Sequence, residues 1–322
     1  MSAQALWYTD TRLGEIRAIE LGDLARDHCR IQTQFSAFSR GTESLVWAGL
    51  VPESEHERMR TPLMQGHFPF PVLYGYCNVG TVIDGPDQWI GKTVFCLAPH
   101  QTTYDAPLSL LAEVPQAVPA HRAVLAANME TAINAVWTGK PGPGDRIAVI
   151  GAGVVGSLIA HLCNHLPGAQ VTLVDPVQSR QAVCEQLGIR YLDRADELQD
   201  CDLVFHASGS SAGLRDAIAI AGRQASIIEL SWYGSRSVEV PLGGAFHSQQ
   251  LRLISCQVGH IEASHQPRWS HSRRLASALT LLADERLESL LESAINFTDL
   301  PQSLGTILGD QPSKLCQIIN YK

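Results

Sequence analysis

Apolar and polar positions change rhythm along the chain. Over residues 1 to about 120, short alternating or β-branched runs recur at 5–8, 15–21, 29–37, 79–83 and 93–97. Turn sequences such as Asp84-Gly85-Pro86-Asp87 separate them, and this punctuation predicts a β-rich domain. The charged, polar stretch 52–66 has Pro or Gly at its ends and reads as a short helix or a mobile loop. A Pro-bounded link at 115–119 leads into a helical stretch over 120–138, broken by Lys140-Pro141-Gly142-Pro143-Gly144.

Beyond that break, strands and helices alternate. The apolar run Ile147-Ala148-Val149-Ile150 is followed by Gly151-Ala152-Gly153-Val154-Val155-Gly156, then by the helical pattern Leu158, Ile159, Leu162. A second apolar run, Val171-Thr172-Leu173-Val174, ends on Asp175. A helix over 177–187, a strand over 202–207, a helix near 212–221 and strands over 226–230 and 251–256 complete the alternation. Such alternation predicts an α/β domain with a doubly wound parallel sheet covered on both faces. The tail, 258–322, is expected to hold an amphipathic helix over 268–284, a strand over 292–297, a helix over 300–308 and a last strand over 314–320.

Within the alternating region, G-x-G-x-x-G follows a strand, opens a helix, and has an acid nineteen residues past its last glycine. That is the context of a dinucleotide site. Gly151 allows the turn off the strand, Gly153 lets the backbone approach a pyrophosphate, and Gly156 lets helix and sheet pack closely. The N–H groups at the helix start, among them those of Val154 and Val155, would hold the phosphates. Asp175 would accept hydrogen bonds from the adenosine ribose hydroxyls and repel a 2′-phosphate, which favours NAD over NADP. Arg180 argues the other way, since a guanidinium there could take that phosphate. Ligand-facing residues of such a sheet lie at the carboxyl ends of its strands, so Ala207, Ser208, Gly209, Ser231 and Trp232 are candidates for the nicotinamide half.

Composition narrows the partners. Hydrophobic residues make up 45% and charged residues 17% of 322 positions, as in globular chains. A net charge of −8 argues against nucleic acid or an anionic membrane as partner. The longest apolar stretch, 147–160, is too short to span a bilayer, and the opening residues lack the basic start and apolar core of a signal peptide. Eight scattered cysteines without a C-x-x-C read as reduced thiols, so a cytoplasmic protein is expected. His161 and His165 stand one helical turn apart around Cys163, and His247, His260, His265 and His271 are spread through a polar region. Without acidic or thiolate partners at ligand spacing, no metal site is expected there.

The order of domains resembles the medium-chain dehydrogenase/reductase superfamily, and the resemblance covers nearly the whole chain. Arg40-Gly41-Thr42-Glu43 with Gly49 stands where zinc alcohol dehydrogenases carry C-x-[ST]-D, and Tyr74-Gly75-Tyr76-Cys77-Asn78-Val79-Gly80 where they carry G-H-E-x-x-G. Asn128 falls near their third zinc ligand. Ser39-Arg40-Gly41-Thr42-Glu43, Phe68-Pro69-Phe70-Pro71 and Tyr74-Gly75-Tyr76-Cys77 look most like the bacteriochlorophyllide a dehydrogenase-like subgroup. The resemblance implies a GroES-like β-rich catalytic domain (1–120), a Rossmann NAD(P)-binding domain (121–257) and a return to the first domain (258–322). It also implies a homodimer paired through an edge strand near Cys256, and hydride transfer in the cleft between the domains.

The departures carry chemistry. The metal-binding positions read Arg40, Tyr76, Cys77 and Asn128, and an arginine cannot shed a proton to become a ligand. The cysteines of the structural zinc lobe are missing as well, because Phe95-Cys96-Leu97-Ala98-Pro99-His100 runs straight on. Neither zinc is therefore expected. Thr42 matches the family's relay hydroxyl, and Tyr76 would offer a phenol to a carbonyl oxygen. Arg40 would replace the metal's charge or grip a substrate carboxylate, unless it pairs with Glu43. Glu130 is placed to face the nicotinamide. The relay histidine expected three residues beyond the relay hydroxyl is Leu45. His67 and His100 lie in the same domain. Three readings follow: a zinc-independent, NAD-dependent oxidoreductase on a secondary alcohol or ketone, an NADPH-dependent quinone or enone reductase, and a catalytically inactive nucleotide-binding protein.

Overall fold

A computed structural model describes residues 2–309 and 315–322. The chain divides into two compact units, one made of the chain up to Ala127 together with Leu275 onward, the other of Asn128–Arg274. The first unit thus runs a few residues past the expected boundary at 120. The tail rejoins it at Leu275 and not at 258, because the segment before Arg274 stays bonded to the second unit.

The first unit is β-rich. Its opening strands are β1 (Ser2–Asp10), β2 (Leu13–Glu20) and β3 (His28–Ala37), followed by helix α1 (Arg40–Trp47). Then come β4 (Gln65–Gly66), β5 (Val72–Leu73), β6 (Asn78–Asp84), β7 (Thr93–Cys96), β8 (Thr103–Pro107) and β9 (Ala112–Glu113). Helices α2 (Ala120–Ala123) and α3 (Ala126–Gly139) occupy the predicted helical stretch, α3 belonging from Asn128 onward to the second unit. Only a single short turn of helix, Glu53–Glu55, forms in the polar segment 52–66. Along β1, Ala3 and Ala5 are buried on one face and Leu6 and Tyr8 on the other, so the strand is covered on both sides. The strand β8 escaped the sequence reading because Thr103-Tyr104-Asp105-Ala106-Pro107 is mixed in polarity and ends in proline. Its pairing with β3 supplies what its own pattern lacks.

The second unit holds β10 (Arg146–Ile150), α4 (Val154–Asn164), β11 (Gln170–Val174), α5 (Arg180–Leu187), β12 (Arg190–Leu192), β13 (Cys201–His206), α6 (Ser211–Ile220), β14 (Ala221–Glu229) and β15 (Arg252–Ser255). These strands form one parallel sheet in the order β12-β11-β10-β13-β14-β15. That is the doubly wound order, which reverses direction beside β10 and opens a crevice at the strands' carboxyl ends. Ala148, Val149, Leu173, Val204, Phe205, Ile227 and Ile228 are buried, which fits near-continuous apolar strands covered on both faces.

In the tail, α7 (His271–Leu281) is followed by β16 (Leu291–Asn296), α8 (Leu300–Leu308) and β17 (Cys316–Asn320). The predicted start of the last strand at Lys314 lies outside the described residues. Strand β17 inserts between β16 and β3, so the tail completes the sheet β16-β17-β3-β6-β7-β9 of the first unit. None of the described helices is long and apolar enough to cross a membrane.

Candidate functional site

The glycine-rich turn has the geometry a dinucleotide needs. Gly151 leaves β10 with φ +108°, and a Cβ there would lie 2.7 Å from the Ser208 amide nitrogen. A Cβ on Gly156 would lie 1.9 Å from the Gly151 carbonyl oxygen, so no side chain fits at that position. Gly153, which precedes the first turn of α4, faces open space at the place where its Cβ would be. The N–H groups of Val154 and Val155 lie in the first turn, where no intrahelical acceptor exists. An open cradle lined by backbone donors at a helix N-terminus fits a pyrophosphate.

Asp175 follows β11. Its carboxylate accepts hydrogen bonds from the amides of Ala152 at 2.8 Å and Val177 at 2.9 Å. It therefore fastens the glycine turn to the next loop, and its half-exposed oxygens keep lone pairs for further donors. Arg180 lies in the first turn of α5 and is 5% exposed, so its side chain is sunk in the fold.

At the ends of β13 and β14 the predicted nicotinamide-side residues come together. Ala207 donates its amide to Ile150 O at 2.8 Å, and Gly209 donates its amide to Ser231 Oγ at 3.1 Å. Ser231 in turn donates its amide to Glu229 Oε1 at 2.7 Å, and Trp232 is half-buried beside it in sequence. His206 and Glu229, which sequence reading passed over, stand at the centre of this group. His206 is fully buried, with Nδ1 2.7 Å from Glu229 Oε2 and Nε2 2.7 Å from Ser208 Oγ. The signal was available, since both residues end strands of the parallel sheet where ligand-facing positions are expected.

In the first unit, Thr42 and Tyr76 do meet. The Tyr76 phenol hydrogen-bonds the side chains of Ser39 and Thr42. Burial, with added repulsion from Cys77 and Glu43, pushes the Tyr76 pKa well above the ordinary phenol value, and the two hydrogen bonds only partly offset this. The phenol therefore holds its proton across the neutral range. Behind it lies a polar network that the sequence did not reveal. Glu43, fully buried, accepts from the Ser39 amide at 2.8 Å, from Tyr8 Oη at 3.1 Å and from His100 Nε2 at 2.9 Å. His100 Nδ1 lies 2.8 Å from Ser36 Oγ, which lies 2.8 Å from Tyr321 Oη.

Two expected catalytic residues are corrected by these contacts. Arg40 neither pairs with Glu43 nor offers a free guanidinium to a substrate. Its Nε and Nη2 donate to the carbonyls of Ile307 at 3.2 Å and Gly309 at 2.6 Å, closing the carboxyl end of α8. Glu130 is 5% exposed and takes Nε of the buried Arg274 at 3.0 Å, while Arg274 also donates to Asn134 and Val258 O. This ion pair fastens the first turn of α7 to α3, which is why the second unit extends to Arg274. Burial raises the Glu130 pKa and the Arg274 charge opposes the shift.

The metal positions do not suit zinc. Arg40 donates to carbonyl oxygens and has no lone pair to offer a metal. Within the first unit, no three His, Cys, Asp or Glu side chains among the described residues bring ligand atoms within 4.8 Å of one another.

No protein-family model matches the sequence. A zinc-type alcohol dehydrogenase-like protein from Haemophilus influenzae is 25% identical over 226 residues, which is 66% of this chain and 61% of that protein. The match thus spans about three-fifths of that relative's length. Among solved structures, L-idonate 5-dehydrogenase from Escherichia coli superposes with a TM-score of 0.80 at 13% identity, covering 100% of this chain and 99% of the other. A zinc-binding dehydrogenase from Sinorhizobium meliloti, bound to NADP, gives 0.79 at 13% identity with both chains covered fully. The fold is therefore that of the medium-chain alcohol dehydrogenases, with a GroES-like unit and a Rossmann unit.

Proposed function

We propose that this chain is an NAD-dependent oxidoreductase that moves a hydride between the nicotinamide and a small secondary alcohol or its ketone, without a catalytic zinc. The observation that carries this reading is the turn Gly151–Gly156 closed by Asp175. Its open cradle at Gly153 and its bridging carboxylate match the phosphates and the adenosine ribose of NAD. Asp175 favours NAD, although the Sinorhizobium structure holds NADP, because a carboxylate at the ribose repels a 2′-phosphate. Bound NAD(H) would supply the hydride acceptor or donor. The chain's own residues would do the rest: Thr42 orients the substrate oxygen, and Tyr76, kept protonated by burial, donates to it as charge develops.

Metal independence rests on the donor set, since no residue at the former ligand positions is both free and able to deprotonate. We further propose that two copies pair along β15, the outermost strand of the parallel sheet, where Leu253 is 37% exposed. The test of the reaction is a screen of secondary alcohols and ketones followed by NADH absorbance, with metal analysis of the same preparation. Turnover with NADH and no stoichiometric zinc supports the reading. A tightly held equivalent of zinc, or turnover confined to quinones with NADPH, overturns it.

A further inference from the structure

The carboxyl edge of the parallel sheet carries an arrangement that hydride transfer does not require. Ser208 Oγ, His206 Nε2, His206 Nδ1 and Glu229 Oε2 form a continuous line with both hydrogen bonds at 2.7 Å. A carboxylate only accepts, so the imidazole proton sits on Nδ1 and Nε2 is left to accept from the serine hydroxyl. Ser208 is exposed, His206 is fully buried, and the Glu229 side chain is 15% exposed. Nucleophile, base and orienting carboxylate each have the contact their role demands.

The backbone around Ser208 suits the same chemistry. Ser208 occupies the turn between strand β13 and helix α6, with Gly209 in the left-handed region at φ +66°. A Cβ on Gly213 would lie 2.3 Å from Ser208 Oγ, so the glycine makes room for the hydroxyl against the helix. A nucleophile on a tight strand-to-helix turn, with glycines where backbone and hydroxyl approach, is a recurrent arrangement for acyl transfer. Ser210 caps α6 through Gly213 N at 3.0 Å, and the N–H groups of Ser211 and Ala212 in its first turn have no intrahelical acceptor. Unpaired amides at a helix start are the kind of donor that a developing oxyanion needs. Glu229 is itself held, accepting from Ser231 N at 2.7 Å and from Tyr233 Oη at 3.3 Å.

We propose that Ser208 is an activated nucleophile that takes the acyl group of a small carboxylic ester, with His206 as its base and Glu229 as the residue that positions His206. Oγ bonds to the ester carbonyl carbon as its proton passes to His206 Nε2. The bond from that carbon to the alcohol oxygen then breaks, and the alcohol leaves with the proton from Nε2. Water repeats the sequence on the acyl-serine and releases the acid. The activity is separate from hydride transfer and needs no bound nucleotide.

The test treats the full chain, with no nucleotide added, with diisopropyl fluorophosphate, which loses fluoride to the attacking oxygen, and locates the adduct by mass spectrometry. Hydrolysis of p-nitrophenyl acetate is followed in parallel. One phosphoryl group on Ser208, absent in Ser208→Ala, is expected. Glu229→Gln should lower the limiting inactivation rate by tenfold or more with the half-saturating reagent concentration unchanged, and Glu229→Asp should recover part of it. Thermal melting of each variant guards against misfolding, and Ser208→Ala, which removes one hydroxyl at the surface, keeps the test decisive if Glu229→Gln fails to fold. Unmodified Ser208 in folded protein overturns the proposal, as does a Glu229→Gln variant that reacts at the wild-type rate.

Discussion

The glycine turn of the second unit and the polar network of the first make opposite uses of sequence. The turn is built within one contiguous stretch: Gly151, Gly153, Gly156 and Asp175 lie in a single strand-helix-strand passage, and the Asp175 carboxylate bonds within it to Ala152 and Val177. The network draws Ser36 and Tyr321 together from positions 285 residues apart, and His100 to Glu43 across 57. The turn is fixed by backbone shape and tolerates no added atoms. The network is fixed by mutual satisfaction of buried polar groups and tolerates no deletions.

The contrast orders the expected effects. Gly156→Ala should act most strongly, since its methyl would meet the Gly151 carbonyl at 1.9 Å. Saturable NADH binding by calorimetry should disappear while the first unit keeps its fold. Glu43→Ala should come next. It strands Tyr8, His100 and the Ser39 amide without an acceptor, at a cost of about 3–5 kcal/mol read from denaturant unfolding. Tyr76→Phe should lower turnover by about 10²-fold or more and leave NADH affinity within a factor of two or so. Equal losses in both would assign the phenol to packing. Because burial raises the Tyr76 pKa, its donor form persists as pH climbs. Ketone reduction by the wild type should then hold its rate until above about pH 10, where an ordinary phenol would already have ionised. Arg40→Ala should be the mildest, costing about 1–2 kcal/mol through lost bonds to the end of α8 and sparing turnover. A collapse of turnover in that variant would restore Arg40 to the chemistry.

The same contrast explains what the sequence could tell. The parallel sheet and its turn were legible because periodicity and glycine spacing are local signals: β10, β11, β13 and β15 fall on the predicted runs to within a few residues, β14 begins earlier than its run, and the three-residue β12 was not foreseen. Thr42 and Tyr76 could be singled out because they stand in recognisable neighbourhoods. Arg40 and Glu130 misled for one physical reason. A charged side chain advertises chemistry, but its partners, the carbonyls of Ile307 and Gly309 and the guanidinium of Arg274, are distant in sequence and invisible to it. His206 and Glu229 were hidden differently, since a histidine inside an apolar strand looks like a core residue until the facing strand supplies its carboxylate.

The most direct measurement is titration calorimetry of the purified chain with NADH and with NADPH. The account predicts one saturable site for NADH, tighter than for NADPH, and a narrowing of that preference by about tenfold in Asp175→Ala. Failure of both nucleotides to bind folded wild-type protein would contradict the account at its root.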